Sequence, residues 1–118
     1  MNINPKIEEI FQNFEVNGTK IPIFFMNYSG KSDIYLTYYT WIEKPLAFSD
    51  DEYQEEVANI TIDIWSKTNY KQIAEAVKQK LKDNNFMWID NGPESYESDT
   101  KYYHLPMNFY IESSEEVS

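Results

Sequence analysis

Residues 57–90 change hydrophobic period twice, and no other feature of the chain constrains its fold as tightly. Ile60, Ile62 and Ile64 alternate with Asn59, Thr61, Asp63 and Trp65, the period-two signature of a strand with one buried face. After Ser66-Lys67-Thr68-Asn69 the period becomes helical. Tyr70, Ile73, Ala74, Val77 and Leu81 share one side, and Lys71, Gln72, Glu75, Lys78 and Lys82 fill the other. Asn69 and Gln72 have the spacing of a capping box, in which each side chain satisfies an orphaned backbone donor. Lys78, Lys80 and Lys82 complement the carbonyl end of the helix dipole, and Asn84 or Asn85 can take the left-handed stop. Residues 86–90 return to an extended pattern. The spacing predicts strand, capped helix, strand.

A chain of 118 residues builds one hydrophobic core, so residues 1–112 are expected to form one domain, with 113–118 as a frayed acidic tail. Asn4 reads as a helix cap and Pro5 as the first helical position, where its missing N–H costs nothing. Ile3, Ile7, Ile10, Phe11 and Phe14 mark one stripe, which Asn17-Gly18 is expected to end. Residues 20–26 are apolar on both faces, as in a strand between layers, with Pro22 placing the segment near a strand start or an edge. Residues 28–32 read as a turn. Residues 33–42 are a clear strand: Ile34, Leu36, Tyr38, Thr40 and Ile42 on one face, Tyr35, Thr37, Tyr39 and Trp41 on the other. Aromatic residues on that second face predict that it is covered too, by a neighbouring subunit if not by the domain. Residues 45–56 read as an acidic loop and 94–100 as a polar connection. Residues 101–112 form a last strand, in which Pro106 hints at an edge or a bulge. The expected fold is α+β in the order α-β-β-β-α-β-β. Its mixed, mainly antiparallel sheet has about five strands, with both helices packed on one face.

Charge and composition remove several function classes. There are 20 acidic residues against 10 lysines, a formal charge of −10, and no arginine. Arginine is the usual bidentate reader of phosphates and base edges, so the balance argues against stable nucleic-acid binding. Without cysteine there is no disulfide framework, no thiol chemistry and no cysteine-based zinc site. Residues 1–5 carry neither a charged nor an apolar leader pattern, and no run approaches membrane-spanning length, so a soluble intracellular protein is expected. The acidic run Asp50, Asp51, Glu52, Glu55 and Glu56 lacks the glycine and alternating oxygen ligands of a calcium loop and reads as a solvated face. His104 is the only histidine, and its place in a strand pattern suits a hydrogen-bonded structural residue. The three isolated glycines cannot build a phosphate-cradling loop, and no nucleophile elbow surrounds Ser49 or Ser66. Nothing singles out a pair of carboxylates. No catalytic, cofactor or metal residue is therefore nominated, and no enzyme activity is expected. Ten Tyr, seven Phe and three Trp exceed what a core of this size uses, which tilts the reading toward an assembly component.

Residues 21–25 (Ile-Pro-Ile-Phe-Phe), 35–38 (Tyr-Leu-Thr-Tyr), 43–45 (Glu-Lys-Pro) and 49–52 (Ser-Asp-Asp-Glu) occur in a characteristic order. They are followed by 62–67 (Ile-Asp-Ile-Trp-Ser-Lys) with Tyr70, then 96–100 (Tyr-Glu-Ser-Asp-Thr), Tyr103-His104 and 107–109 (Met-Asn-Phe). In that order and spacing the chain resembles the tail terminator (tail completion) proteins of tailed bacteriophages and prophages, from about Ile21 to Glu112. No single piece is diagnostic. Asn84-Asn85 stands where the resemblance leads one to expect glycine, and Pro106 where a ladder donor is expected. The resemblance implies a non-enzymatic virion protein at the head–tail neck, assembled in the host cytoplasm. It would form a hexameric ring with copies of itself, cap the tail tube, stop its growth and receive the head connector or completion protein. DNA would pass through the ring, and acidic side chains lining the bore would repel its phosphates. Two loops are expected to make contacts: Phe48, Asp50, Asp51, Glu52 and Tyr53, and Ser95, Tyr96 and Glu97 onward to Asp99. Alternatives are a neck or minor capsid component that joins head to tail, and an acidic DNA-mimic binding protein.

Overall fold

Two eleven-residue strands form the centre of the sheet, β5 (Glu56–Ser66) and β8 (Tyr103–Ser113), paired antiparallel along their whole length. The computed structural model describes residues 2–28, 30–43 and 56–113. Before β5 come α1 (Asn4–Ile10), the small hairpin β1 (Glu15–Val16) and β2 (Thr19–Lys20), then β3 (Ile23–Phe25) and β4 (Ile34–Glu43). Between β5 and β8 lie α2 (Lys71–Lys82), β6 (Met87–Asn91) and β7 (Ser95–Tyr96). The main sheet has the order β3-β4-β5-β8-β6, with β7 also on β8. Only β3 and β4 run parallel. The fold is α+β with a mixed, mostly antiparallel sheet, and its five main strands, β3, β4, β5, β6 and β8, follow in the chain order expected from the sequence. The two-residue strands β1, β2 and β7 are additional.

Register explains the core. Tyr38 lies opposite Ile62, and Ile62 opposite Met107, so Leu36 and Tyr38, Ile60, Ile62 and Ile64, and Leu105, Met107 and Phe109 share one face. That face forms a single cluster with Ile3, Ile7, Ile10 and Phe11 from the α1 region and with Ile73, Val77 and Leu81 of α2. Both helices therefore pack on the same side. Each α2 side chain buried there contributes roughly 1.5–3 kcal/mol, enough to hold a helix that could not stand alone in water.

Local chemistry departs from the sequence reading at several points. The first helix ends at Ile10, not at Asn17-Gly18. Asn17 and Gly18 have φ of 52° and 83° and form the tight turn between β1 and β2, because two successive positive φ values suit a two-residue hairpin. Asn4 is the first helical residue and not the cap. Its N–H donates to Asn2 Oδ1 at 3.0 Å. The capping box is absent: Asn69 Oδ1 accepts from Lys71 N–H at 2.9 Å, while Gln72 Oε1 accepts instead from Asn17 Nδ2 and ties the hairpin to α2. Asn85, at φ 72°, makes the left-handed stop. Residues 20–26 are not a strand sealed on both faces, since Pro22 separates β2 from a three-residue edge strand and leaves Phe25 and Met26 exposed.

Pro106 sits inside an internal strand, neither at an edge nor in a bulge. Its carbonyl accepts from Gly92 N–H at 2.9 Å, so its backbone edge faces the β6–β7 connection, and its missing N–H removes nothing from the β5 ladder. The bulge lies in β6 opposite Asn108 and Phe109, where the register shifts between Trp88 and Asp90. A Cβ at residue 92 would lie 2.7 Å from the Pro106 ring, which is why glycine stands there.

Candidate interaction surface

The face of the sheet opposite the helices carries aromatic rings where an open antiparallel face would ordinarily be polar. Phe24 of β3, Tyr35 of β4, Trp65 of β5 and His104 of β8 all point to it, because alternation sends every second residue there and register sets them side by side. Tyr28 stacks on Phe24 with ring centroids 4.2 Å apart and leans on Tyr35 at 4.6 Å. Trp65 lies parallel to Tyr35 at 6.0 Å and to His104 at 4.0 Å. Tyr102 meets Tyr35 edge-on at 5.4 Å, and its hydroxyl donates to the Ser32 carbonyl. Gly30 passes so close to Tyr28 that a Cβ there would lie 1.9 Å from the phenol oxygen. At this end of the sheet the domain covers its own second face.

Polar groups interleave with the rings and are satisfied locally. Trp65 Nε1 donates to Thr37 Oγ1 at 3.0 Å, Thr61 Oγ1 to Asn108 Oδ1 at 2.7 Å, and Asn108 Nδ2 to Asp90 Oδ1 at 2.8 Å. His104 Nε2 is 2.7 Å from Asp63 Oδ1. Burial, then the neighbouring Tyr102, Glu97 and Tyr28, push the Tyr35 hydroxyl up to about 12. On the helix side burial likewise raises Tyr38, reinforced by the Glu8 carboxylate, which accepts its hydroxyl hydrogen at 2.7 Å. Among the described residues no buried side-chain nitrogen or oxygen lacks a partner, and no group of three or more acidic or histidine residues is placed to hold a metal ion. No described helix is long and apolar enough to cross a membrane.

Toward the other end the face opens. Tyr39 and Trp41 stack on each other at 5.6 Å yet remain 43% and 42% exposed. Beyond Phe25, β3 no longer flanks β4, so this pair stands beside an unpaired stretch of strand among the described residues. On the far edge all five residues of β6 are exposed, including Met87 at 55% and Ile89 at 47%. Register sets Met87 level with Trp41, across Asn59 and Tyr110, so the two patches lie three strands apart on one face of the sheet.

The candidate contact residues divide. Ser95 and Tyr96 are β7, paired with His104 and Tyr103, and not a free polar connection. Glu97 closes the turn that follows: its N–H donates to the Tyr102 carbonyl at 2.9 Å, its carbonyl accepts from Lys101 N–H at 2.7 Å, and its side chain accepts from Thr100 Oγ1 at 2.8 Å. Tyr96 is half exposed and packs on Tyr103 at 4.8 Å. Phe48, Asp50, Asp51, Glu52 and Tyr53 lie outside the described residues, as do residues 114–118 of the expected acidic tail, whereas Ser113 still belongs to β8. The segment holding Phe48 and Tyr53 joins β4 to β5 at the Glu43–Glu56 end of the sheet, while β7 lies beside the Trp65 end. The Phe24–Tyr28–Trp65–His104 band was missing from the sequence-based candidates. Alternation marked the face, but only register shows that Trp65 and His104 meet. Compared with models of known families and with curated proteins, the chain matches none.

Proposed function

We propose that this chain is a structural component of a bacteriophage tail: a subunit that joins copies of itself into a ring, caps the tail tube, ends its elongation and receives the head connector. The observation that carries the reading is the stacked, exposed Tyr39–Trp41 pair on a sheet face that no layer of the described domain covers. Tyr and Trp supply large contact area with a polar tip and lose little entropy on docking, so such a pair is suited to a protein partner. Two distinct apolar patches, on β4 and on β6, further support a head-to-tail contact, the kind that closes into a ring when the rotation per subunit allows it. The order of motifs along the chain supplies the tail-specific part of the reading.

The work in this reading is done by docking and involves no bond-making. The candidate contact set is Ser95, Tyr96 and Glu97 at one end of the sheet and Phe48, Asp50, Asp51, Glu52 and Tyr53 in the segment at the other. The test is to add purified protein to uncapped tail tubes and image them. One ring at one end of each tube, with growth arrested, is expected. Tubes that bind nothing and keep growing would contradict the reading. A monomer that competes with DNA for a nucleic-acid-binding protein would favour the DNA-mimic alternative.

A further inference from the structure

We propose that the open edge of β4, residues 39–43, pairs antiparallel with β6 of a second copy of this chain and so carries the sheet from one subunit into the next. The proposal deepens the self-assembly reading above and rests on it. Among the described residues the main sheet has two unpaired edges five residues long: β4 beyond the end of β3, and the outer side of β6. Exposed apolar side chains line both, Tyr39 and Trp41 on the first and Met87, Trp88 and Ile89 on the second. An exposed apolar edge is a template for another strand.

Backbone direction makes the two edges complementary. Leu36 N–H donates to the Pro22 carbonyl and the Tyr38 carbonyl accepts from Met26 N–H, so the even-numbered residues of β4 face away from β5. Thr40 and Ile42 therefore turn N–H and C=O outward, past the end of β3. On β8, the Pro106 carbonyl accepts from Gly92 N–H, so Asn108 and Tyr110 also face β6, and Met87, opposite Tyr110, faces β8. That leaves Trp88 with its N–H and C=O outward. Met26 closes the slot on β4 above Tyr39, and aligning 39–43 with 87–91 sets Ile42 opposite Trp88, where the two exchange both backbone bonds. Their side chains then share the helix side, since Trp88 is opposite Phe109 and Ile42 alternates with Tyr38. On the other face Trp41 comes opposite Ile89 and diagonal to Met87, within reach of side-chain contact.

Topology makes the occupant a second copy in head-to-tail order. One chain cannot join its own two edges, because β5 and β8 lie between them. β4 and β6 run in opposite directions, since β4 and β8 are both antiparallel to β5 and β6 is antiparallel to β8. A rotation about an axis near the strand direction keeps the sense of every strand and the side of every face. It therefore brings β4 beside β6 antiparallel, with Trp41 and Met87 on one face. Pairing β4 with β4 about a two-fold axis would leave the Met87–Ile89 edge in water, whereas the head-to-tail contact covers both edges and can close. Within one copy Met87 is level with Trp41, but across the contact it falls opposite Glu43, a stagger of two residues or about 7 Å. Strands in a closed wall tilt to its axis and require such a stagger.

The test uses the absence of cysteine from the chain. Glu43→Cys and Met87→Cys are made as two separate full-length proteins, mixed in equal amounts and oxidised, in solution and on tail tubes. Residues opposed in this way have Cβ atoms about 5 Å apart, within disulfide reach. Linked peptides read by mass spectrometry should be mostly 43–87. Ile42→Pro in the first protein should cut that product about tenfold, because it removes an outward N–H and nothing from the β5 ladder. Circular dichroism checks that this variant folds, and if it does not, the disulfide distribution alone decides. Predominant 43–43 or 87–87 links would overturn this contact and leave the assembly reading standing. So would rings on tubes without a 43–87 link, or a 43–87 link that folded Ile42→Pro leaves unchanged. A protein that neither links nor binds tubes would end both.

Discussion

His104 lies flat on Trp65 at 4.0 Å while its Nε2 sits 2.7 Å from Asp63 Oδ1, so one imidazole joins an aromatic stack to a carboxylate on the face of the sheet opposite the helices. Asp63 is opposite Pro106 and Trp65 opposite His104, which makes the bond a diagonal one across two strands. The geometry fixes the ring by contacts within the sheet itself.

A double-mutant cycle measures that tie. Asp63→Ala, His104→Ala and the double variant, unfolded in urea, should show a coupling of about 0.5–1.5 kcal/mol, the range for an ordinary intramolecular hydrogen bond. Strict additivity would mean that the contact contributes nothing.

Tyrosine ionisation should unfold the protein in alkali. Tyr35 is raised to about 12 in the folded state and Tyr38 is raised as well, both chiefly by burial, against the ordinary tyrosine value of 10.0 in the open chain. Their folded forms hold a proton that the unfolded chain releases. The stabilisation is thus complete below pH ~10 and is lost as pH rises through the folded values. Stability followed by circular dichroism should fall steadily above pH ~10, and Tyr35→Phe should remove roughly 1–2 kcal/mol of that dependence. An unchanged alkaline limb in Tyr35→Phe would contradict the assignment.

Gly92 and Pro106 form a steric pair. Gly92→Ala puts a Cβ 2.7 Å from the proline ring and should cost about 1–3 kcal/mol in thermal unfolding. Adding Pro106→Ala should recover a large part of the loss, because the two changes act on one contact. Equal losses in the single and double variants would assign the effect to backbone entropy instead.

How much of this could be read from residues alone depended on whether the cause was local. The alternation around Ile60, Ile62 and Ile64 and the helical spacing of Ile73, Val77 and Leu81 gave the strand–helix–strand unit, since those periods follow from backbone geometry. A left-handed stop at Asn84 or Asn85 was equally legible, and Asn85 is the residue that takes it. The hairpin at Asn17-Gly18 was legible in principle, as asparagine–glycine is a strong turn signal, but the apolar stripe through Phe14 masked it. Pro106 was misjudged because its cost depends on which strand its N–H would have faced, which is a matter of pairing. The same holds for the surface. Tyr39 and Trp41 were visible as a face of one strand, whereas the Tyr35–Trp65–His104 stack needs the register of three strands.

Replacing the exposed aromatic pair separates folding from assembly. Tyr39→Ser with Trp41→Ser should change monomer stability by no more than about 1 kcal/mol, because both rings are largely in water. Assembly on tail tubes should be lost, since exposed aromatic residues dominate contacts of this kind. Sedimentation gives the second quantity and urea unfolding the first. Intact assembly in this variant would move the interface elsewhere.

The most direct measurement is electron microscopy of the particles formed when the gene for this chain is removed from an otherwise complete set of tail components. Overlong tubes without heads are expected, with normal length and head joining restored by the intact protein. Tails of normal length carrying heads, formed in its complete absence, would contradict the account.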